Sequence, residues 1–326
     1  EGGFKVQALS GDIPGRVDIP GQGGHTWCKP GVQGRCVLPL REGVSSHCGK
    51  VCPLPREYRY LGPDGEGIAG LPDAVGVALG SEYCVHLLPP AARMAEVVRE
   101  ATAKRAPILL LAPYFRDAEL KAAIPLFRAI PAGAQVDVAV NDWGVLQTLH
   151  GLFPWMRLSI GRLLSGQKRC PRIGASARLT EEGRMWHGEG IFSSPLARAY
   201  LEETYGVAGY HVDDLPWSRP APDDADRVAD APFLFVHVPH AIVTVSDACP
   251  WIGGASSASV ASCPRPCRDR HVVLREPSMG ADLVQRGKAR FTCGSGDRAP
   301  AGAGGVVVYR SGSSKMYTMF RRELTT

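Results

Sequence analysis

The chain has 326 residues, 44% hydrophobic, 21% charged and only 7% aromatic, with 38 glycines and 27 prolines. That is the composition of a globular protein with many tight loops, and it excludes a disordered chain, a collagen or a coiled coil. The net charge is +5 with histidines neutral, and no Lys/Arg run exceeds three residues, so nucleic acid stays undecided as a partner.

The longest apolar stretches, residues 106–115 (APILLLAPYF) and 233–245, fall short of the ~20 residues that span a bilayer. The opening EGGFKV lacks the basic-then-apolar order of a signal peptide, and the missing Met suggests a trimmed or processed start. Residues 1–70 are rich in glycine and proline, carry four of the ten cysteines and show almost no apolar period. They read as a loop-rich, cysteine-containing extension organised by something other than a core. From residue 71 the rhythm becomes short β-like runs alternating with helical patterns. Strands are expected over 74–79, 107–112, 135–140, 157–160 and 207–212, with further extended segments at 232–238 and 242–245. Helices are expected over 91–104, 117–129 (Asp117 as N-cap), 145–152 and 195–205. Residues 216–231 and 295–305 read as loops. Alternation of this kind argues for a parallel α/β sheet, open or closed into a barrel, with its chemistry at the C-terminal strand ends.

The cysteines are at 28, 36, 48, 52, 84, 170, 249, 263, 267 and 293. A chain of this size folds without staples and nothing marks it as secreted, so metal or cluster ligation outranks disulfides. The expectation is a reduced, cytoplasmic compartment. Cys249, Cys263 and Cys267 form a C-x13-C-x3-C group after a β segment, and the prolines of CPRPC stiffen the second pair. Iron–sulfur clusters take thiolates in a shielded, loop-built pocket, usually four of them. Cys84, in the first βα loop, is the best fourth ligand. Zinc on the same four thiolates and a set of inert thiols remain open.

Four stretches of the sequence carry a resemblance. They are residues 232–274, containing "HVPH" and "CPRPC"; 140–146 (VNDWGVL); 161–172 (GRLLSGQKRCPR); and 205–215 (YGVAGYHVDDL). In order and approximate spacing they resemble the collagenase-like peptidase family U-32. The resemblance is nearest to its iron–sulfur members that act in oxygen-independent ubiquinone hydroxylation and RNA hydroxylation. It implies an irregular TIM-type (β/α) barrel over 71–326 and a [4Fe–4S] cluster on Cys84, Cys249, Cys263 and Cys267. It further implies a quinone precursor or RNA base as substrate, with a small carboxylic acid such as prephenate as oxygen donor. The sequence departs from the family at Cys170, where the family has Asp, and at Asp213 and Asp214, where it has an acidic "E-L". The family name also implies a peptidase, although no HExxH or G-x-S-x-G is present.

Cys28, Cys36, Cys48 and Cys52, with His25 and His47 nearby, read equally well as a zinc knuckle or a second Fe–S site. A second cluster implies electron transfer from a protein partner, as in a heterodimer or larger redox complex. A non-catalytic Fe–S subunit is thus an alternative to an enzyme. Asp142 either orients substrate or caps the next helix. Arg162, Lys168, Arg169 and Arg172 read as an anion-binding loop for the donor's carboxylate, or as a solvated face. Asp213 with Asp214 reads as a paired acid/base, or as the start of a polar loop. His237 and His240 face opposite ways, and each reads as a satisfied structural histidine.

Overall fold

A computed structural model of the chain describes residues 57–72, 75–217, 233–256, 259–260, 262–268, 270–275, 279–293 and 305–309. Its central element is a closed barrel of eight parallel strands. In chain order these begin β1 Glu57–Tyr60, β2 Gly76–Gly80, β3 Ile108–Ala112, β4 Val136–Val140, β5 Arg157–Ile160, β6 Tyr210–Asp213 and β7 Leu234–Val238. The eighth, Gly305–Val308, lies between β7 and β1 and closes the ring. Helices α1 Ala91–Ala103, α2 Asp117–Arg128 and α3 Trp143–Leu152 follow β2, β3 and β4; α4 Arg172–Ala175, α5 Glu181–Gly188 and α6 Pro195–Tyr205 lie between β5 and β6.

The central strands read as continuous apolar runs because both of their faces are buried. The outward residues of β2 to β5, such as Leu79, Leu110, Val138 and Leu158, share one core with Met94 and Val97 of α1 and with Leu146 and Leu149 of α3. The inward residues alternate with them. Tyr58, Ala78, Leu109, Leu111, Ala139, Phe235 and Val307 fill the lumen as a second apolar cluster. The same inward register also carries Ser159, His211, Asp213 and His237, all buried. The lumen is therefore a packed core with a polar column in it rather than a pore.

Between β7 and the last barrel strand the chain inserts an antiparallel sheet of β8 His240–Val245, β9 Val272–Leu274, β10 Leu283–Arg286 and β11 Ala289–Cys293, in the order β8-β11-β10-β9. With these named, the closing barrel strand is β12. The sequence pattern left this sheet unseen beyond 242–245, since β9 has three residues and β10 is only four long. The expected loop 295–305 also gives way to β12 at Gly305.

The expected boundary at residue 70 moves as well. The unit that contains the barrel begins at Pro53, and β1 pairs in parallel with both β2 and β12. Residues 57–70 are thus barrel, not extension. Two local expectations shift in a smaller way. Arg116 rather than Asp117 holds the cap position of α2, with the Glu119 carboxylate accepting from its backbone N–H at 2.9 Å. At α3 the cap is Asp142, which accepts from the Gly144 and Val145 N–H groups at 2.6 and 3.2 Å. No helix among the described residues is long and apolar enough to cross a membrane.

The two loops carrying "NDWG" and "GRLL" lock together. Buried Asn141 donates from its amide to Ala112 O (2.8 Å) and accepts from Leu163 N–H (2.9 Å). A Cβ on Gly161 would lie 2.5 Å from the amide carbon and nitrogen of Asn141. Gly161→Ala is therefore expected to cost about 1–3 kcal/mol, the usual penalty for overpacking. A urea unfolding curve with an unchanged midpoint overturns this.

Candidate functional site

Cys84 leaves the end of β2, Cys249 follows β8, and Cys263 and Cys267 lie on the loop before β9. Chain segments far apart in sequence thus bring all four sulfurs to one small hollow, lined also by His86, Leu87, Trp251, Ile252, Arg265, Pro266 and Gly287. All four are free thiols, with Cys249 and Cys267 buried and Cys84 and Cys263 half-buried. Tyr83, Leu87, Ala289, Trp251 and Phe291 pack around Cys84 and Cys267 as an apolar shell. Burial pushes the Cys267 thiol up to about 11, and the neighbouring Cys84, Cys249 and Cys263 sulfurs add to the rise while Arg286 opposes it. The Cys84 thiol is likewise raised by burial, with Lys288 pulling the other way.

The CPRPC loop is pinned on both sides. Asp64 accepts from Arg265 Nη1 at 3.1 Å and pairs with Arg268 Nη1 at 3.1 Å, and Glu66 takes Arg268 Nη2 at 2.7 Å. From the other side Arg286 donates to Cys267 O (2.9 Å) and Arg268 O (2.8 Å). Gly287, at the β10–β11 turn, has φ +56° and lies so near that a Cβ there would stand 3.3 Å from Cys267 Sγ. Arg265 N–H points at Cys263 Sγ at 3.4 Å. Fixed loops, a glycine-sized approach and a backbone donor to sulfur suit a sulfur-ligated group. Among the described residues no three His, Cys, Asp or Glu side chains are gathered to hold a single metal ion.

Beside this hollow lies a buried charge network. Arg162 is 1% exposed and Glu82, two residues before Cys84, is 2% exposed. Arg162 Nε donates to both Glu82 oxygens at 3.0 and 2.9 Å, and its Nη2 also meets Glu82. Its Nη1 donates to Asp213 Oδ1 (2.6 Å) and to His240 O (2.8 Å), and Nη2 to the Tyr309 hydroxyl (3.0 Å). Arg169 pairs with the other Asp213 oxygen.

From Tyr309 a hydrogen-bonded column descends the lumen: His237 Nδ1 at 2.8 Å, His237 Nε2 to His211 Nδ1 at 2.8 Å, and His211 Nε2 to Ser159 Oγ at 2.9 Å. Its polarity follows from donor accounting. An ionised Glu82 only accepts, so the Tyr309 O–H donates to it at 3.2 Å. His237 Nδ1–H then donates to Tyr309, His211 Nδ1–H to His237, and the Ser159 hydroxyl to His211. Burial and the Arg162 charge push His211 down to about 3 and His237 well below its ordinary value, so both are neutral as this accounting requires.

The sequence-predicted residues divide accordingly. Cys84, Cys249, Cys263 and Cys267 line one hollow. The cationic loop does not come together: Arg162 and Arg169 are consumed by internal carboxylates, whereas Lys168 and Arg172 are exposed. Arg172 Nε reaches Cys170 Sγ at 3.4 Å. Asp213 and Asp214 do not pair, because strand alternation turns Asp213 inward to the arginines while Asp214 donates its backbone N–H to His237 O. Asp142 is a helix cap. His237 is the satisfied buried histidine expected of it. Glu82, His211 and Tyr309 escaped the sequence reading; the available signal was inward register on adjacent strands, with Asp213 opposite His237. Cys28, Cys36, Cys48 and Cys52, with His25 and His47, lie outside the described residues.

No family model matches the chain, and no curated protein matches it. A solved structure of a U32 peptidase aligns with it at a TM-score of 0.39 and 12% identity, over 85% of this chain and 98% of that one.

Proposed function

We propose that this chain is an iron–sulfur protein holding a [4Fe–4S] cluster on Cys84, Cys249, Cys263 and Cys267. The observation that carries the reading is the convergence of four free thiols on one apolar hollow at the rim of the barrel. Burial makes the Cys84 and Cys267 thiols resist ionisation, and a cationic iron cluster offsets that.

When bound, the cluster supplies one-electron redox chemistry. The protein's own part is to exclude water with the Tyr83, Leu87, Trp251 and Phe291 shell and to fix Cys263 and Cys267 through Asp64. By the sequence resemblance, the proposed activity is oxygen-independent hydroxylation, with a quinone precursor or RNA base as substrate and a small carboxylic acid as oxygen donor. Because Arg162 and Arg169 are satisfied internally, the donor's carboxylate falls to exposed groups such as Lys168. The N-terminal cysteines would hold redox-inert zinc or a second cluster, and only the second cluster would receive electrons from a protein partner.

A specific observation disfavours the hydrolase alternative. Ser159 and His211 have nucleophile–base spacing, but they are 1% and 0% exposed inside the barrel, and a histidine held to about 3 is a poor base at neutral pH.

The test is iron, acid-labile sulfide and zinc per chain on protein purified without oxygen. About four irons from the barrel site, or about eight if the N-terminus holds a second cluster, are expected. Cys267→Ser is expected to remove about four. Zinc alone, or iron indifferent to Cys267→Ser and Cys263→Ser, overturns the assignment.

A further inference from the structure

Resting on the cluster reading, we infer that the Trp251 indole N–H donates a hydrogen bond to a sulfur of the group held by Cys84, Cys249, Cys263 and Cys267, and so raises its reduction potential.

Trp251 stands two residues after Cys249, on a tight turn anchored to that cysteine. Ile252 and Gly254 both donate backbone N–H to Cys249 O, at 3.2 and 3.0 Å, and Cys249 N–H donates to Ala255 O at 2.9 Å. The ring is therefore carried by the same rigid turn as the ligand. It lines the thiol hollow and packs in one apolar cluster with Cys84 and Cys267. Its Nε1 is buried from solvent and has no hydrogen-bond partner among the described residues.

A buried donor is almost always satisfied, because leaving water without gaining an acceptor is unfavourable. Indole N–H can only donate. Besides the His86 ring, the acceptor side chains of the hollow are the four cysteine sulfurs, and a bound cluster adds its sulfides. Elsewhere in the shell the side chains are hydrocarbon or cationic. An N–H aimed at sulfur stabilises the more negative, reduced state more than the oxidised one. It therefore raises the potential, and such bonds are among the main levers a protein has on a cluster.

Trp251→Phe retains the aromatic bulk and removes only the donor. Full-length wild type and Trp251→Phe are purified and reconstituted without oxygen, assayed for iron and sulfide, and titrated with dithionite and mediators under electron paramagnetic resonance. The signal followed is the one that Cys267→Ser abolishes. Equal iron content is expected, with the equilibrium constant for one-electron reduction falling about tenfold in Trp251→Phe, a shift of about 59 mV to lower potential for a one-electron couple. Equal iron with an unchanged potential overturns the inference and leaves the cluster assignment standing. A wild type without iron overturns the cluster assignment, and this inference with it. If Trp251→Phe loses iron, wild type labelled with ¹⁵N in the indole decides: a ¹⁵N hyperfine coupling on the reduced cluster supports the bond, and its absence overturns it.

Discussion

Replacing Arg162 with methionine is expected to destabilise the barrel by about 3–5 kcal/mol, the cost of removing one partner from a fully buried ion pair. Methionine fills much of the arginine's volume, so the loss is electrostatic. It leaves Glu82 and Asp213, at 2% and 1% exposure, facing each other without the guanidinium that now bonds both. It also removes the donors to the Tyr309 hydroxyl and His240 O. Arg169 still balances one Asp213 oxygen, so most of the uncompensated charge falls on Glu82.

The sign of the pH dependence follows from that. In the variant the buried carboxyls prefer the neutral form, so their folded pKa values lie above the ordinary ~4.3 of glutamate. A raised acid is stabilising below its unfolded pKa, and that contribution is lost as pH rises. The gap between wild type and variant should accordingly narrow from pH 7 toward pH 5. Urea unfolding at both pH values checks it. Arg162→Lys keeps the charge but not the fork that serves Glu82 and Asp213 together, and should recover only part of the loss. A deficit near 1 kcal/mol at pH 7 would show that the pair behaves like an exposed one.

What the sequence could and could not reveal follows from the distance over which each pattern is written. The strands 107–112 and 135–140 were legible because burial on both faces makes them continuous apolar runs. β1, with sequence EYRY, was not: only Tyr58 is fully buried there, and the strand exists because β2 and β12 flank it. Spacing and the position of Cys84 in the first βα loop picked out the four cysteines, and the fold sets them around one hollow. The arginine loop was misread because four cations within eleven residues look like one site, whereas the turn after β5 sends Arg162 and Arg169 inward and leaves Lys168 and Arg172 outside. The Glu82–Tyr309–His237–His211–Ser159 column joins residues up to 227 positions apart; only closure of the barrel makes them neighbours. Asp142 had two readings, and the Gly144 and Val145 N–H groups decide for the cap.

The column is expected to make the fold more stable at neutral pH than in mild acid. His211 and His237 are fully enclosed and held neutral, the first down to about 3 and the second well below its ordinary value, chiefly by burial and then by the Arg162 charge. Half-buried His240 is also held low, at about 4, by the same causes. A histidine depressed in the folded state contributes stability that is complete above its unfolded value of about 6.5 and is lost as pH falls toward its folded value. Between those limits the unfolded chain binds the proton and the folded one does not. Each such histidine therefore removes about 1.4 kcal/mol of stability per pH unit. The two lumen histidines together set a slope of about 2.7 kcal/mol per unit, and His240 adds to it until about pH 4. Asp137, whose carboxyl burial raises, titrates with the opposite sign, while ordinary carboxylates titrate near about 4, so the interval from pH 6 to 5 reports chiefly on the histidines. Unfolding free energies from urea curves at half-unit steps across that interval measure the slope directly. Replacing His211 with glutamine removes one titrating ring and should reduce the slope by about 1.4 kcal/mol per unit, whatever it does to stability at pH 7. A wild type equally stable at pH 7 and pH 5 would mean that the lumen admits the proton at little cost and that the column is not held neutral by its burial.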